Sequence, residues 1–240
     1  MLQHRTTEPE WMDSPDFGPR LVSGTFCFLE PVNRFLGGHG PMLAFFRGES
    51  RAWDREQTYR LLDVGCGAGD VPLALARWAR RAGHRVQIEG LDRNLATVEW
   101  ARRKCQAYPE ITITCQDIFA RDGPPCDYVL ASQFLHHFPD ERVPAVLRFL
   151  LGMSRRKVVI NDLVRVPAAY LATWLFTLVV SPVFRHDGRI SVRRGFTVVE
   201  LERLLRAAGL GPLQLQRHFF YRFQLVLDAD APSLAQGATP

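Results

Sequence analysis

The stretch Leu61-Leu62-Asp63-Val64-Gly65-Cys66-Gly67-Ala68-Gly69-Asp70 constrains this chain more than any other. A short apolar run ends in three alternate glycines, and an Ala/Leu/Arg-rich segment with helical spacing begins at once, which predicts strand, tight turn and helix. Such a turn is built to receive a ligand. Glycine adopts backbone conformations closed to other residues and lets a ligand approach main-chain atoms without meeting a Cβ. The start of the following helix leaves unpaired N–H groups facing the same space.

After that helix, Arg85-Val86-Gln87-Ile88-Glu89-Gly90-Leu91-Asp92 reads as a second strand with an acid at its carboxyl end. An Asp about 20 residues beyond such glycines is the usual partner of a ribose diol, because one carboxylate accepts from two adjacent hydroxyls. The glycines run Gly65-x-Gly67-x-Gly69 rather than G-x-G-x-x-G, and Asp70 follows them. Its carboxylate repels a dinucleotide pyrophosphate but tolerates the ammonium of an amino-acid tail, and Asp63 adds a second acid on the same side. In these residues the chain resembles the class I S-adenosylmethionine-dependent methyltransferases of small-molecule type, whose first motif has the form of Leu62-Asp63-Val64-Gly65-Cys66-Gly67-Ala68-Gly69. The resemblance implies S-adenosyl-L-methionine as cofactor and S-adenosyl-L-homocysteine as product. The segment Glu10-Trp11-Met12-Asp13, with Asn33-Arg34-Phe35-Leu36-Gly37-Gly38 after it, is also similar to a bacterial subgroup associated with polyketide and phenolic-lipid pathways of secondary metabolism.

A chain of 240 residues suffices for one well-buried domain, and two would be cramped. The net charge of +5 is carried almost wholly by arginines scattered among helices. Scattered charge marks a solvated face rather than a nucleic-acid track, so no nucleic-acid partner is expected. The five cysteines are odd in number and show no C-x-x-C spacing, which leaves a zinc site and a disulfide framework unsupported. The first residues are polar, without an apolar signal core, so a cytoplasmic protein is expected.

Residues 1–56 are expected to form an N-terminal helical lid segment, with a polar leader to about residue 18 and helical apolar spacing from Leu21 to Phe46. Strands are expected near 60–65, 85–91, 111–116, 126–131 and 157–162, and helices near 69–82, 94–107 and 140–152. Alternation of this kind gives an α/β fold, a doubly wound parallel sheet covered on both faces, with ligands beyond the carboxyl ends of the strands. A helix over 197–208 and the runs Leu213–Phe220 and Arg222–Leu227 would close the domain, which is expected to span 57–230 before a tail at 231–240. The resemblance, not composition, supplies the seven-stranded order 3-2-1-4-5-7-6 with its last strand antiparallel.

Gly65, Cys66, Gly67 and Gly69 of the turn, with Asp63, Asp92 and Arg93, are the expected cofactor residues. The resemblance adds Asp117, facing the adenine amino group, Ile118, packing on the ring, and Ser132 at the end of the fourth strand. Asp92 also suits an N-cap near Asn94, and Asp117 also suits a turn. The His pair resembles the family's Leu-His-His segment; ubiquinone-pathway O-methyltransferases have Glu-x-x-Glu-His holding a divalent metal at the matching place, where this chain has Gln133, His136 and His137. Without those carboxylates a hard cation loses its preferred ligands, so no metal is expected.

Methyl transfer from a sulfonium is an in-line displacement, so the enzyme must align the acceptor and exclude water. A phenol or enol acceptor gains from a nearby base, and the candidates are His136, His137 and His186, of which at most one is expected to serve. Either His136 or His137 also fits a hydrogen-bonded structural role. The stretch His186–Phe196 reads as a long polar loop at the ligand edge. Before it, residues 166–184 are apolar almost all round, but short of the roughly 20 residues that cross a bilayer. This run reads as a cap helix over a hydrophobic small-molecule acceptor, within an insertion at about 164–196. A homodimer contact and a membrane-surface anchor are the alternatives. Aromatic polyketides, alkyl phenols and quinones, methylated on oxygen, are the expected acceptors. An RNA methyltransferase and a non-catalytic S-adenosylmethionine-binding regulator stay open. The Asn/Asp-Pro-Pro-aromatic motif of enzymes acting on DNA-base amino groups is replaced by Ser132-Gln133-Phe134-Leu135.

Overall fold

The apolar run forms β1 (Thr58–Val64), and the chain bends through Gly65, Gly67 and Gly69, at φ of +64°, +51° and +75°. The computed structural model describes residues 2–13, 18, 39–210, 214–218 and 221–229. Parallel strands β2 (Arg85–Asp92), β3 (Ile111–Cys115), β4 (Cys126–Ser132) and β5 (Ser154–Leu163) join β1, and β6 (Gln214–His218) and β7 (Arg222–Asp228) add an antiparallel edge. The seven strands lie in the expected order, β3-β2-β1-β4-β5-β7-β6.

Helices α1 (Gly40–Glu49), α2 (Asp70–Ala82), α3 (Leu95–Cys105), α4 (Val143–Gly152) and α7 (Val198–Ala207) cover the sheet. Side chains alternate across β1 and β4. Tyr59, Leu61, Tyr128 and Leu130 pack under α1 and α2 with Phe46, Leu75 and Trp78, while Leu62, Val64, Val129 and Ala131 pack under α4 and α7 with Leu147 and Leu204. Burial on both faces, at roughly 1.5–3 kcal/mol per large apolar side chain, explains the near-continuous apolar runs of the central strands. The strand order reverses between β1 and β4, which opens a crevice at their carboxyl ends.

The sequence reading of 166–196 is corrected. The apolar run breaks into α5 (Pro167–Phe176) and a short turn at Thr177–Val179, and the expected polar loop is helical, as α6 (Pro182–Arg194). Pro182 stands in the first turn of α6 and Ser181 Oγ caps it by accepting the Phe184 N–H, while Phe184, Asp187 and Ile190 turn its spacing inward. Helix α4 also starts three residues later than expected, at Val143. Of the expected N-terminal helical region, α1 lies within the described residues, whereas Leu21 to Gly38, including Asn33, Arg34 and Gly37, lies outside them, as does the tail 231–240.

Residues 2–13 are docked rather than loose. Arg5 donates to the carbonyls of His136, Phe138 and Arg194 and to Asp140 Oδ1, with its guanidinium over the Phe196 ring. The amides of Trp11 and Met12 donate to the buried Asp187 carboxylate at 2.8 and 3.0 Å.

Candidate active site

The glycine turn is held against β2 from two directions. The Cys66 N–H donates to Leu91 O at 2.9 Å, and the Gly67 N–H donates to Asp92 Oδ2 at 3.0 Å. The other oxygen of Asp92 accepts the Asn94 N–H at 2.9 Å, while Asn94 itself caps α3. Burial pushes the Asp92 carboxyl above its ordinary value, opposed by those two amides. Gly65 is required by its neighbour, since a Cβ there would stand 2.5 Å from Phe134 Cδ2. At Gly67 a Cβ would meet nothing within 4 Å. Gly69 serves packing instead, because its Cβ would press on Cys105 and Ala101 of α3.

A cleft of about 920 Å³ opens on this turn. Asp63, Gly65, Cys66, Gly67, Asp92, Arg93, Asp117, Ile118 and Ser132 line it, so every expected cofactor residue except Gly69 is brought together. Asp117 also makes its turn, accepting the Phe119 N–H at 2.9 Å. Cys66 is buried, which pushes its thiol up and keeps it protonated. Asp70 is already paired with Lys104, so its charge is not available in the way its position after the glycines implied. Asp63 is different. Its Oδ1 is buried with no hydrogen-bond partner among the described residues, and burial beside Asp92 and Asp70 raises its carboxyl well above the usual range. A cationic, hydrogen-bond-donating ligand relieves that site. The open face at Gly67, the Asp92 carboxylate and the Asp63 oxygen therefore fit a nucleoside with an ammonium tail, as S-adenosylmethionine is.

The same cleft also holds two of the histidines, His136 and His137. His136 is buried, with Nδ1 at 2.6 Å from Asp162 Oδ1 and Nε2 at 3.4 Å from Glu10 Oε1. Burial alone would lower its pKa, but Asp162 and then Glu10 overcome it and push the ring up to about 9. His136 is thus a cation at neutral pH and a poor base. His137 also lines the cleft, with Nδ1 at 3.1 Å from Asp13 Oδ2. Burial raises the Asp13 carboxyl, but His137 and Arg194 outweigh it and hold the group well below its ordinary value. His186 is not among the cleft residues. Its ring stacks on Trp11 at 4.2 Å and its Nδ1 faces Asp187 Oδ1 at 2.8 Å.

Glu10, Asp13 and Asp162 were not named from the sequence as site residues. Asp162 did leave a signal, because Asn161-Asp162 interrupts an apolar strand at its ligand end and is fully buried. Glu10 and Asp13 arrive from the docked N-terminal segment. Phe134, Phe138, Ala169, Phe176 and Phe184 add apolar side chains to the cleft lining.

A family model described as a methyltransferase domain matches residues 61–155. Over those residues the chain is similar to methyltransferase domains. A ubiquinone biosynthesis O-methyltransferase of Alkalilimnicola ehrlichii is 30% identical over 160 residues, which make up 63% of this chain and 60% of that protein. Among solved structures, the plantazolicin methyltransferase BpumL in complex with SAH aligns with a TM-score of 0.68 at 16% identity, over 91% of this chain and 92% of that one. The magnesium protoporphyrin IX methyltransferase of Synechocystis PCC 6803 with bound SAH aligns with a TM-score of 0.56 at 17% identity, over 82% and 83%. These two share the fold. The match to the methyltransferase domain family covers the glycine turn, Asp92, Asp117 and the histidine pair, and stops within β5. Glu10 and Asp13, the cleft residues of α5 and α6, and Asp162, which holds His136 from behind the cleft lining, lie outside that span.

Proposed function

We propose that this chain is an S-adenosylmethionine-dependent methyltransferase that methylates a hydroxyl oxygen on a hydrophobic small molecule, a phenolic polyketide or a quinone-like ring. The reading is supported by the cleft itself, whose lining combines the glycine turn, Asp63 and Asp92 with Asp13, His137 and the apolar side chains of Phe134, Phe138 and Phe176. When bound, S-adenosylmethionine supplies a methyl carbon made electrophilic by the adjacent sulfonium.

The residues divide the remaining work. Asp92 holds the ribose hydroxyls, Asp63 takes the ammonium of the amino-acid tail, and Asp117 and Ile118 take the adenine. Phe134, resting on Gly65, and the aromatic side chains near it keep water from the reacting centre. His137 accepts the acceptor's hydroxyl proton, oriented by Asp13, which remains a carboxylate. His136, clamped as a cation, fixes the peptide from which His137 projects. Orientation and desolvation supply most of the acceleration, since the displacement needs alignment more than covalent help.

The test is release of S-adenosylhomocysteine by the purified chain supplied with S-adenosylmethionine and, separately, alkyl phenols, hydroquinones or transfer RNA. Turnover with the phenolic compounds and none with RNA is expected. Turnover with RNA alone, or cofactor binding without turnover on any of these acceptors, would replace this reading with one of its two rivals.

A further inference from the structure

Helix α5 is the most apolar helix among the described residues and one of the least buried. Of its ten residues only Ala169 is buried, whereas α4, of the same length, buries Val143, Val146, Leu147 and Leu150. Leu171, Trp174, Leu175 and, in the next turn, Leu178 are 57%, 38%, 54% and 44% exposed. Five of the chain's ten large exposed apolar side chains among the described residues fall between 171 and 178, which gathers them into one patch rather than a scatter. The opposite side of α5 faces inward, where Ala169, Thr173 and Phe176 line the cleft. Phe176 belongs to both, 39% exposed and on the cleft wall, so the patch borders the cleft.

The border of the patch is basic. Arg185 is tied to its end, donating to Thr177 O at 3.2 Å and Leu178 O at 2.9 Å, and the Arg189 guanidinium lies 5.6 Å from the Trp174 ring centroid. Residues 164–199 contain five arginines and one acid, Asp187; Arg165, Arg193 and Arg194 are paired with Glu200, Glu8 and Asp13, which leaves Arg185 and Arg189 beside the patch. Asp187 is buried and already accepts the amides of Trp11 and Met12. This charge pattern chooses between occupants. A second copy seated by two-fold symmetry would set arginine against arginine with no exposed acid on the patch to pair them. Lipid phosphates pair them directly, and a Trp/Leu face edged by arginine is the composition of a helix lying in a bilayer interface. No helix among the described residues is long and apolar enough to cross a membrane.

We propose that α5 and the turn after it dock on an anionic lipid bilayer, with Leu171, Trp174, Leu175 and Leu178 in the acyl boundary and Arg185 and Arg189 on headgroup phosphates. The cleft then opens at the lipid surface, and a lipid-dissolved acceptor enters past Phe176 without crossing water. That delivery rests on the function proposed above; the docking does not.

Flotation of the full chain with vesicles tests it. The chain should float with phosphatidylcholine vesicles containing phosphatidylglycerol, and less with phosphatidylcholine alone or at raised salt. The double variant Leu171→Glu/Leu175→Glu should lose more than about tenfold of that binding while keeping the wild-type melting temperature and S-adenosylhomocysteine affinity. Arg189→Gln, which leaves the apolar face whole, should lower binding to the anionic vesicles severalfold. Wild-type chain that stays with the soluble fraction in both vesicle types overturns the proposal, as does a double variant that floats unchanged. So does a sedimenting dimer that the double variant converts to monomer, since the occupant is then a second copy. Affinity for S-adenosylhomocysteine is read in the same samples, so loss of the methyltransferase reading and loss of the docking are told apart.

Discussion

His136 Nδ1 lies 2.6 Å from Asp162 Oδ1, with both side chains removed from solvent. The Asp162 carboxylate also accepts the His136 and Leu163 amides, which fixes the pair to the backbone. Burial acts against the charge on both partners, and each nonetheless stays charged because of the other: the ring is pushed up to about 9 and the carboxyl is held below its ordinary value. A base raised in this way stabilises the fold fully below its unfolded value of 6.5 and loses that contribution as pH climbs through about 9. The depressed acid gives the mirror effect, present above its unfolded value and lost as pH falls through the folded one. The two limbs report one interaction. Denaturant unfolding across pH should therefore show a plateau between them and a decline on the alkaline side worth on the order of 2–3 kcal/mol. His136→Gln should flatten the alkaline decline, and an unchanged profile in that variant would assign the decline to another group.

Gly65 and Gly67 separate stability from binding. Gly65→Ala drives a Cβ into the Phe134 ring at a backbone φ of +64°, so it should destabilise by about 1–3 kcal/mol. Gly67→Ala meets open space and carries only the strain of φ +51°, about 1 kcal/mol. Its methyl group nonetheless enters the cleft floor, so S-adenosylhomocysteine binding should weaken sharply while melting changes little. Calorimetric unfolding and ligand titration of both variants would show whether the losses fall on the sides stated.

The three histidines should differ in rate. His137→Gln should cost about 10²–10³-fold in kcat with cofactor affinity unchanged, and Asp13→Asn part of that. His186→Gln, away from the cleft, should stay within about twofold of wild type. A fast His137→Gln enzyme would leave alignment alone as the source of rate.

The cofactor half of the site was legible because it is local. Three glycines, a strand before them and an acid at the end of the next strand are each short-range signals, and the structure brings all but Gly69 to one cleft. Strand order was not legible from composition and came from resemblance. The histidine end resisted for a physical reason: Glu10 reaches His136 across 126 positions, through a segment anchored by Arg5, and no periodicity encodes such a contact. Helix α6 was legible in principle from Ser181-Pro182, a cap followed by a first-turn proline, but the polar run Arg185–Arg189 outweighed it. The apolar character of 166–184 was legible, and which of its faces meets protein was not, because hydropathy does not state it.

Titration of S-adenosylhomocysteine into the wild-type chain and Asp92→Asn measures the central claim most directly. Asn retains the size of the side chain and an acceptor for the Gly67 amide, while removing the charge, the acceptor of the Asn94 amide and one acceptor from the ribose. One site per chain is expected, weakened about 10- to 100-fold in the variant, whose free form should still unfold cooperatively but melt a few degrees lower because the Asn94 amide loses its acceptor. No binding to wild type, or equal affinity in the two, would contradict a nucleoside held by Asp92 over the glycine turn.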